Sequence, residues 1–148
     1  MDVLTSFMAY AADFESTFLD DDWGRLRKHF TDDAIYEVLA EAFGCKLEGP
    51  DAIFAGMKKS LDGFDRRFSG REPAVTGAPV VDGPELRVEW TVTYSKEGFK
   101  PFVLEGRSVA RMRDGKIAYL ADLYEREAEQ AFAAWQQESG MAINASYT

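Results

Sequence analysis

Apolar residues recur three and four positions apart at Leu4, Phe7, Met8, Ala11, Phe14 and Phe18, while Asp2, Asp13 and Glu15 fall off that stripe. This spacing predicts an amphipathic helix. Asp20-Asp21-Asp22 breaks the pattern and supplies a cap for a short second helix carrying Trp23, Leu26 and Phe30. Thr31-Asp32-Asp33 closes that helix, and Ala34 to Leu39 reads as a strand. A loop through Gly44 and Cys45 leads to Gly49-Pro50-Asp51, where proline suits a first helical turn. The third helix has Ile53, Phe54, Met57, Leu61, Phe64 and Phe68 on one face, with Lys58, Lys59, Asp62, Arg66 and Arg67 on the other.

Beyond it the period changes to two. Pro73 to Val81, Leu86 to Tyr94, Pro101 to Met112 and Lys116 to Tyr124 read as antiparallel strands, joined at Asp82-Gly83, Lys96-Glu97-Gly98 and Asp114-Gly115. Long strands on short turns make a twisted meander that curls over the helices. Glu125 to Gln137 predicts a fourth helix, with Ala128, Phe132 and Trp135 on one side, and the tail from Gly140 shows no pattern. The whole is read as one α+β domain over residues 1–148, with its core at about 4–125 and no linker or repeat.

Alternation also assigns faces. Leu86, Val88, Trp90 and Val92 turn inward, as do Phe102, Leu104, Gly106, Ser108 and Ala110 on the next strand. Arg87, Glu89, Glu105, Arg107 and Arg111 turn outward, where they can form cross-strand ion pairs.

Composition narrows the partners. Twenty-six acidic against 17 basic residues give a formal charge of -9, opposed to a nucleic-acid backbone and to an anionic membrane surface. The one cysteine, Cys45, excludes an internal disulfide, and no signal peptide or membrane span is apparent, so a cytoplasmic protein is expected. No glycine-rich phosphate loop, zinc-type cluster or nucleotide fingerprint appears, and neither a metal nor a cofactor is expected.

Three segments carry a resemblance: Asp22-Trp23-Gly24-Arg25-Leu26 with Phe30-Thr31-Asp32-Asp33-Ala34, then Gly49-Pro50-Asp51-Ala52-Ile53, then Arg113-Asp114-Gly115-Lys116-Ile117. With the order of elements, they resemble the SnoaL-like branch of the nuclear transport factor 2-like superfamily, over about Phe7 to Tyr124. The branch is related to polyketide cyclases, ketosteroid isomerases and limonene epoxide hydrolases. The resemblance implies a cystatin-like fold: a cone-shaped barrel of strongly curved antiparallel sheet wrapped around three helices, often a homodimer through the outer sheet face.

The resemblance also places Leu120, Asp122 and Tyr124 on the inner face of the last strand, with Asp122 where the cyclases and epoxide hydrolases carry a catalytic aspartate. Tyr36 matches a tyrosine that positions water in the hydrolases. An inward carboxylate in an apolar cone is costly unless it is hydrogen-bonded or neutral. Asp122 and Tyr36 are therefore the candidate catalytic pair, as proton shuttle and orienting hydroxyl; the alternative is that Asp122 accepts hydrogen bonds from Tyr36, Tyr124 or a helix end and only braces the cone. Phe14, Trp23, Val38, Phe54, Met57, Val88, Trp90, Leu104, Ser108, Leu120 and Tyr124 are the candidate pocket wall.

Departures count against epoxide hydrolysis and exclude two other named activities. The hydrolases' asparagine position holds Val38, and their arginine–aspartate pair is imitated by Arg87-Val88-Glu89, which the alternation turns outward. Val38, Phe14 and Ser108 occupy the three working positions of the ketosteroid isomerases. A scytalone dehydratase needs two pocket histidines, and His29 is the only histidine. Cys45 and His29 are read as structural. Two functions stay open: a cofactor-independent isomerase, cyclase or hydrolase acting on a small apolar molecule, and a non-catalytic ligand-binding or dimerisation module.

Overall fold

A computed structural model describes residues 2–148. Helix α1 spans Val3–Asp20 and starts at Asp2, whose side chain accepts the Thr5 N–H at 2.7 Å. It stops where Asp21 enters the left-handed region at φ 64° and its N–H reaches the Thr17 carbonyl. Trp23–His29 is a 3₁₀ segment rather than the expected α-helix, and Phe30 already belongs to the following strand. The three acids do not cap it by side chain. Asp20 accepts the Asp22 N–H and pairs with Arg25, while Asp21 ties the end of α1 to Lys58 and Arg66.

Helix α2 spans Pro50–Gly63 with Pro50 in its first turn, and buries Ile53, Phe54, Met57 and Leu61. Phe64 and Phe68, expected on this helix, lie beyond it on either side of a short 3₁₀ turn, Asp65–Arg67.

Six strands follow the order β2-β1-β6-β5-β4-β3, with β1 at Phe30–Leu39, β2 at Cys45–Glu48, β3 at Gly70–Asp82, β4 at Glu85–Ser95, β5 at Phe102–Arg113 and β6 at Lys116–Leu123. The segment read as a loop at Cys45 is thus a strand, made so by the open edge of β1, on which Tyr36 pairs with Leu47 and Val38 with Cys45. The sheet is also mixed: β1 and β6 run parallel, whereas the other neighbours are antiparallel. A parallel pair needs a long crossover, and the chain from α2 through β5 supplies it. The sheet stays open, with β2 and β3 as its edges. At the β5–β6 hairpin, Asp114 and Gly115 both take positive φ, 54° and 77°, as a tight two-residue turn requires.

Leu86, Val88, Val92, Leu104, Ser108, Ala110 and Leu120 are buried, and Arg87, Glu89, Glu105, Arg107 and Arg111 are exposed, as alternation predicts. The expected ion pairs change partners. Register sets Glu89 opposite Arg107, but Arg107 reaches Glu125 at 3.0 Å and Arg87 pairs with Glu85 of its own strand at 3.5 Å.

Two apolar clusters fill the concave side. One gathers Leu26, Phe30, Tyr36, Ile53 and Leu86; the other joins Phe64, Tyr94 and Phe102 to Trp135 of helix α3, Arg126–Ser139. Gly140 ends α3 at φ 67°, and the tail then turns back over α2. Among the described residues, no helix is long and apolar enough to cross a membrane.

Candidate active site

Strand register brings the polar groups of the site together. On β6, Asp122 lies between Val38 of β1 and Ser108 of β5, and Tyr36 lies one inward position away on β1. Diagonal neighbours of this kind are within reach of a long aromatic side chain. The Tyr36 hydroxyl donates to Asp122 Oδ2 at 2.5 Å, and the Ser108 hydroxyl donates to Oδ1 at 2.6 Å. Trp90 Nε1–H in turn donates to Ser108 Oγ at 2.9 Å. The result is a relay from indole to hydroxyl to carboxylate.

Trp90 reaches Ser108 because Gly106, its cross-strand partner, has no side chain. A Cβ built on Gly106 would lie 2.5 Å from the indole edge. Gly106→Ala is expected to lower stability by about 1–3 kcal/mol through overpacking, and to release the Trp90–Ser108 bond. Denaturant unfolding with tryptophan fluorescence checks both; an unchanged midpoint and spectrum would refute the packing account.

Beside these groups lies a cavity of about 460 Å³. Phe14, Tyr36, Met57, Val88, Trp90, Leu104, Ser108, Leu120, Asp122 and Tyr124 all line it. Three candidate wall residues do not. Val38 and Phe54 are buried in the cluster around Phe30, and Trp23 lies against Phe14 and Phe54 with its indole N–H held by Asp21 at 2.7 Å. Periodicity assigned them to the concave side but could not separate filled core from cavity wall.

Asp122 retains some accessible surface although it is deep in the fold, and that surface borders the cavity. Burial raises its carboxyl above the usual carboxylate range, against the hydrogen bonds from Ser108 and Tyr36 that favour the charged form. Burial, then the Asp122 charge, pushes Tyr36 well above the ordinary phenol range, so it stays a neutral donor. An ionised carboxylate oxygen has about two lone-pair sites, and each oxygen of Asp122 accepts one hydrogen bond from these hydroxyls. Each oxygen therefore has the capacity to accept one further hydrogen bond.

A second polar group lines the cavity. Arg71 donates through Nε to Asp65 Oδ2 at 2.8 Å and through Nη1 to Glu15 Oε1 at 2.6 Å, and the Tyr94 hydroxyl donates to Asp65 at 2.8 Å. Sequence reasoning missed this group, because it joins α1, the turn after α2, and strands β3 and β4. Tyr94 alone had a signal, as the next inward position after Val92. Tyr147, which also lines the cavity, had none, since the tail has no period.

The other candidates lie elsewhere. His29 Nε2 is 2.7 Å from Asp13 Oδ2, its ring meeting Tyr10 edge-on, and it does not line the cavity. Burial pushes the Cys45 thiol up, away from the thiolate that nucleophilic chemistry needs. Arg87 and Glu89 are exposed on the outer face, so the arginine–acid pair of an epoxide hydrolase does not form.

Comparison with known families decides the affiliation. The family model for the SnoaL-like domain matches residues 11–120, most of the chain. This chain belongs to the SnoaL-like family. Its fold is that of the nuclear transport factor 2-like superfamily, as similar solved structures show. TerC, co-crystallized with polyporic acid, has a TM-score of 0.66 at 19% identity, covering 91% of this chain and 98% of its own. A protein provisionally named a SnoaL-like polyketide cyclase, from Jannaschia sp. CCS1, has a TM-score of 0.63 at 14% identity, covering 85% and 90%. A ketosteroid isomerase-like fold from Catenulispora acidiphila, in complex with trimethylamine, has a TM-score of 0.62 at 16% identity, covering 92% and 94%. Comparison with curated proteins finds no match. The SnoaL-like match ends two residues before Asp122, so α3 and the tail lie wholly beyond it.

Proposed function

We propose that this SnoaL-like protein binds a small, mostly apolar molecule and acts on it by cofactor-independent acid–base chemistry, as an isomerase, cyclase or hydrolase. The observation that carries the proposal is the placement of Asp122 on the cavity wall, with one hydrogen bond to each oxygen from Ser108 and Tyr36. A carboxyl raised by burial is a better base than an exposed one and a usable acid nearer neutral pH. Asp122 takes a proton from carbon or oxygen of the guest and returns it, Tyr36 holds one carboxyl oxygen while its own oxygen can accept from a guest hydroxyl, and Ser108 keeps the carboxyl aimed. The apolar wall excludes water and holds the guest in place. The cyclase name of one neighbour and the polyporic acid of another favour cyclic ketones and enols as the class to try first.

The test needs no known substrate. A pocket base exchanges the α-protons of a bound ketone with solvent, so a panel of small cyclic ketones in deuterated buffer, read by mass spectrometry, detects it. Exchange is expected with wild type and lost with Asp122→Asn. Ligand binding without any exchange would favour the alternative, a binding module in which Asp122 only braces the strands, a reading that its two hydrogen bonds also suit.

The dimer expected from the family is proposed for the outer sheet face, where Val80 and Val103 are about half exposed, at 53% and 49%. Sedimentation at high micromolar concentration is expected to give twice the chain mass; a monomer would refute it.

A further inference from the structure

The eight residues from Met141 to Thr148 lack regular structure, yet they are held along α2. Asn144 N–H donates to the Gly63 carbonyl at 2.9 Å, Ser60 Oγ donates to the Ala145 carbonyl at 2.8 Å, and Gln136 Nε2 donates to the Ile143 carbonyl at 3.1 Å. The Lys59 ammonium reaches the Thr148 carbonyl oxygen. Two glycines one heptad apart on α2 make the track. A Cβ on Gly63 would fall 2.2 Å from the Asn144 carbonyl oxygen, and one on Gly56 would fall 2.4 Å from Leu47 Cδ1 and 3.0 Å from the Tyr147 carbonyl oxygen. Small residues at these positions let backbone lie against backbone, and the tail follows the helix closely enough to deliver Tyr147 to the cavity.

There the Tyr147 ring meets Tyr36 at 5.7 Å between centroids, on the same cavity wall as Asp122. Burial, then the Asp122 charge, raises its hydroxyl, so the group stays a neutral phenol. Tyr36 spends its own proton on Asp122. A second phenol beside it can donate to a guest oxygen while Asp122 accepts from that oxygen or from the adjacent carbon.

We infer that Tyr147 is a positioning and selectivity residue of the site, and that the tail is a fixed wall which gives the cavity a preference for guests bearing a hydroxyl, enol or carbonyl oxygen. This rests on the reading of the cavity as a small-molecule site. It does not need the proton transfer assigned to Asp122.

The test uses the full chain and two probes of the same shape, 2-naphthol and 2-methylnaphthalene, in titrations followed by fluorescence or calorimetry. Wild type is expected to bind the naphthol about tenfold more tightly, as a hydrogen-bonding site discriminates against a guest lacking the oxygen. Tyr147→Phe is expected to reduce that ratio about fivefold while leaving 2-methylnaphthalene unchanged, which a purely structural role would not do. Gly63→Ala, whose methyl collides with the tail but suits a helix, is expected to reduce the same ratio and to weaken both probes. An unchanged ratio in Tyr147→Phe overturns the selectivity role, and unchanged binding in Gly63→Ala overturns the tail as a wall, either of them leaving the acid–base proposal standing. Failure of wild type to bind either probe overturns this inference, whereas exchange lost in Asp122→Asn would still uphold the acid–base reading.

Discussion

Asp122→Asn is expected to remove solvent exchange of bound ketones, by a factor of about 10² or more, and to raise the thermal midpoint at neutral pH. The two effects have one cause. A carboxyl buried against Tyr36, Ser108 and an apolar wall is held above its ordinary range. Between its unfolded value and the raised folded value, the native state binds the extra proton, so stability falls as pH rises through that window. Below the window the carboxyl is neutral in both states and contributes no penalty; above it, the charge must be kept in a poorly solvated place. The amide of asparagine has nearly the same shape and no charge. Its gain in stability is therefore expected to be full at pH values above the window and to vanish toward pH 3. Thermal melts of both proteins from pH 3 to 8 check this. A variant less stable at neutral pH and equal at acid pH would mean that the charge itself is stabilised, and with it the case for a proton-accepting base would weaken.

Arg71→Met is expected to lower stability by about 3 kcal/mol, because removing one partner of a buried ion cluster leaves its carboxylates uncompensated. The Arg71 side chain is only 10% exposed and Asp65 only 13%, whereas Glu15 is 42% exposed and can recover water. Most of the loss therefore falls on Asp65. The guanidinium also lies 4.7 Å above the Phe18 ring, a contact methionine replaces in area but not in charge. In a chain of this size the melting temperature should drop by roughly 6–12 °C. Asp65→Asn added to Arg71→Met is expected to restore about half the loss, since an amide can still accept from the Tyr94 hydroxyl without a stranded charge. Urea unfolding of the two variants measures the coupling. Additive losses would show that the cluster is not held together by charge. Because Arg71 links α1 to β3 at the cavity wall, ligand binding should weaken in the single variant and recover in the double.

Helix α1, the four long strands and their turns were legible because each is a local decision. A three-to-four spacing of Leu4, Phe7, Met8 and Ala11 has one helical solution, and Asp114-Gly115 has one favoured hairpin. The inward face of β4 and β5 followed from alternation alone, since turning Arg87 and Glu89 inward would strand two charges. That same alternation placed Ser108 on the concave side. Asp122 and Tyr36 came from the family resemblance, and the register of β1, β6 and β5 then brought them within hydrogen-bonding distance.

What only the tertiary structure decided involves residues distant in sequence. Cys45 to Glu48 is a strand because β1 offers an open edge, and β1 is parallel to β6 because the chain between them crosses over. Val38 and Phe54 are filled core and Trp23 packs half-buried against it, while Met57 and Trp90 line space, a difference of packing that no period encodes. The Glu15–Arg71–Asp65–Tyr94 cluster is assembled from four separate elements. Tyr147 reaches the cavity only because Gly56 and Gly63 leave room on α2 for a tail that has no structure of its own. Local patterns fix which way a side chain points, whereas what it meets there depends on how distant segments share the remaining volume, and that sharing is settled only by the fold as a whole.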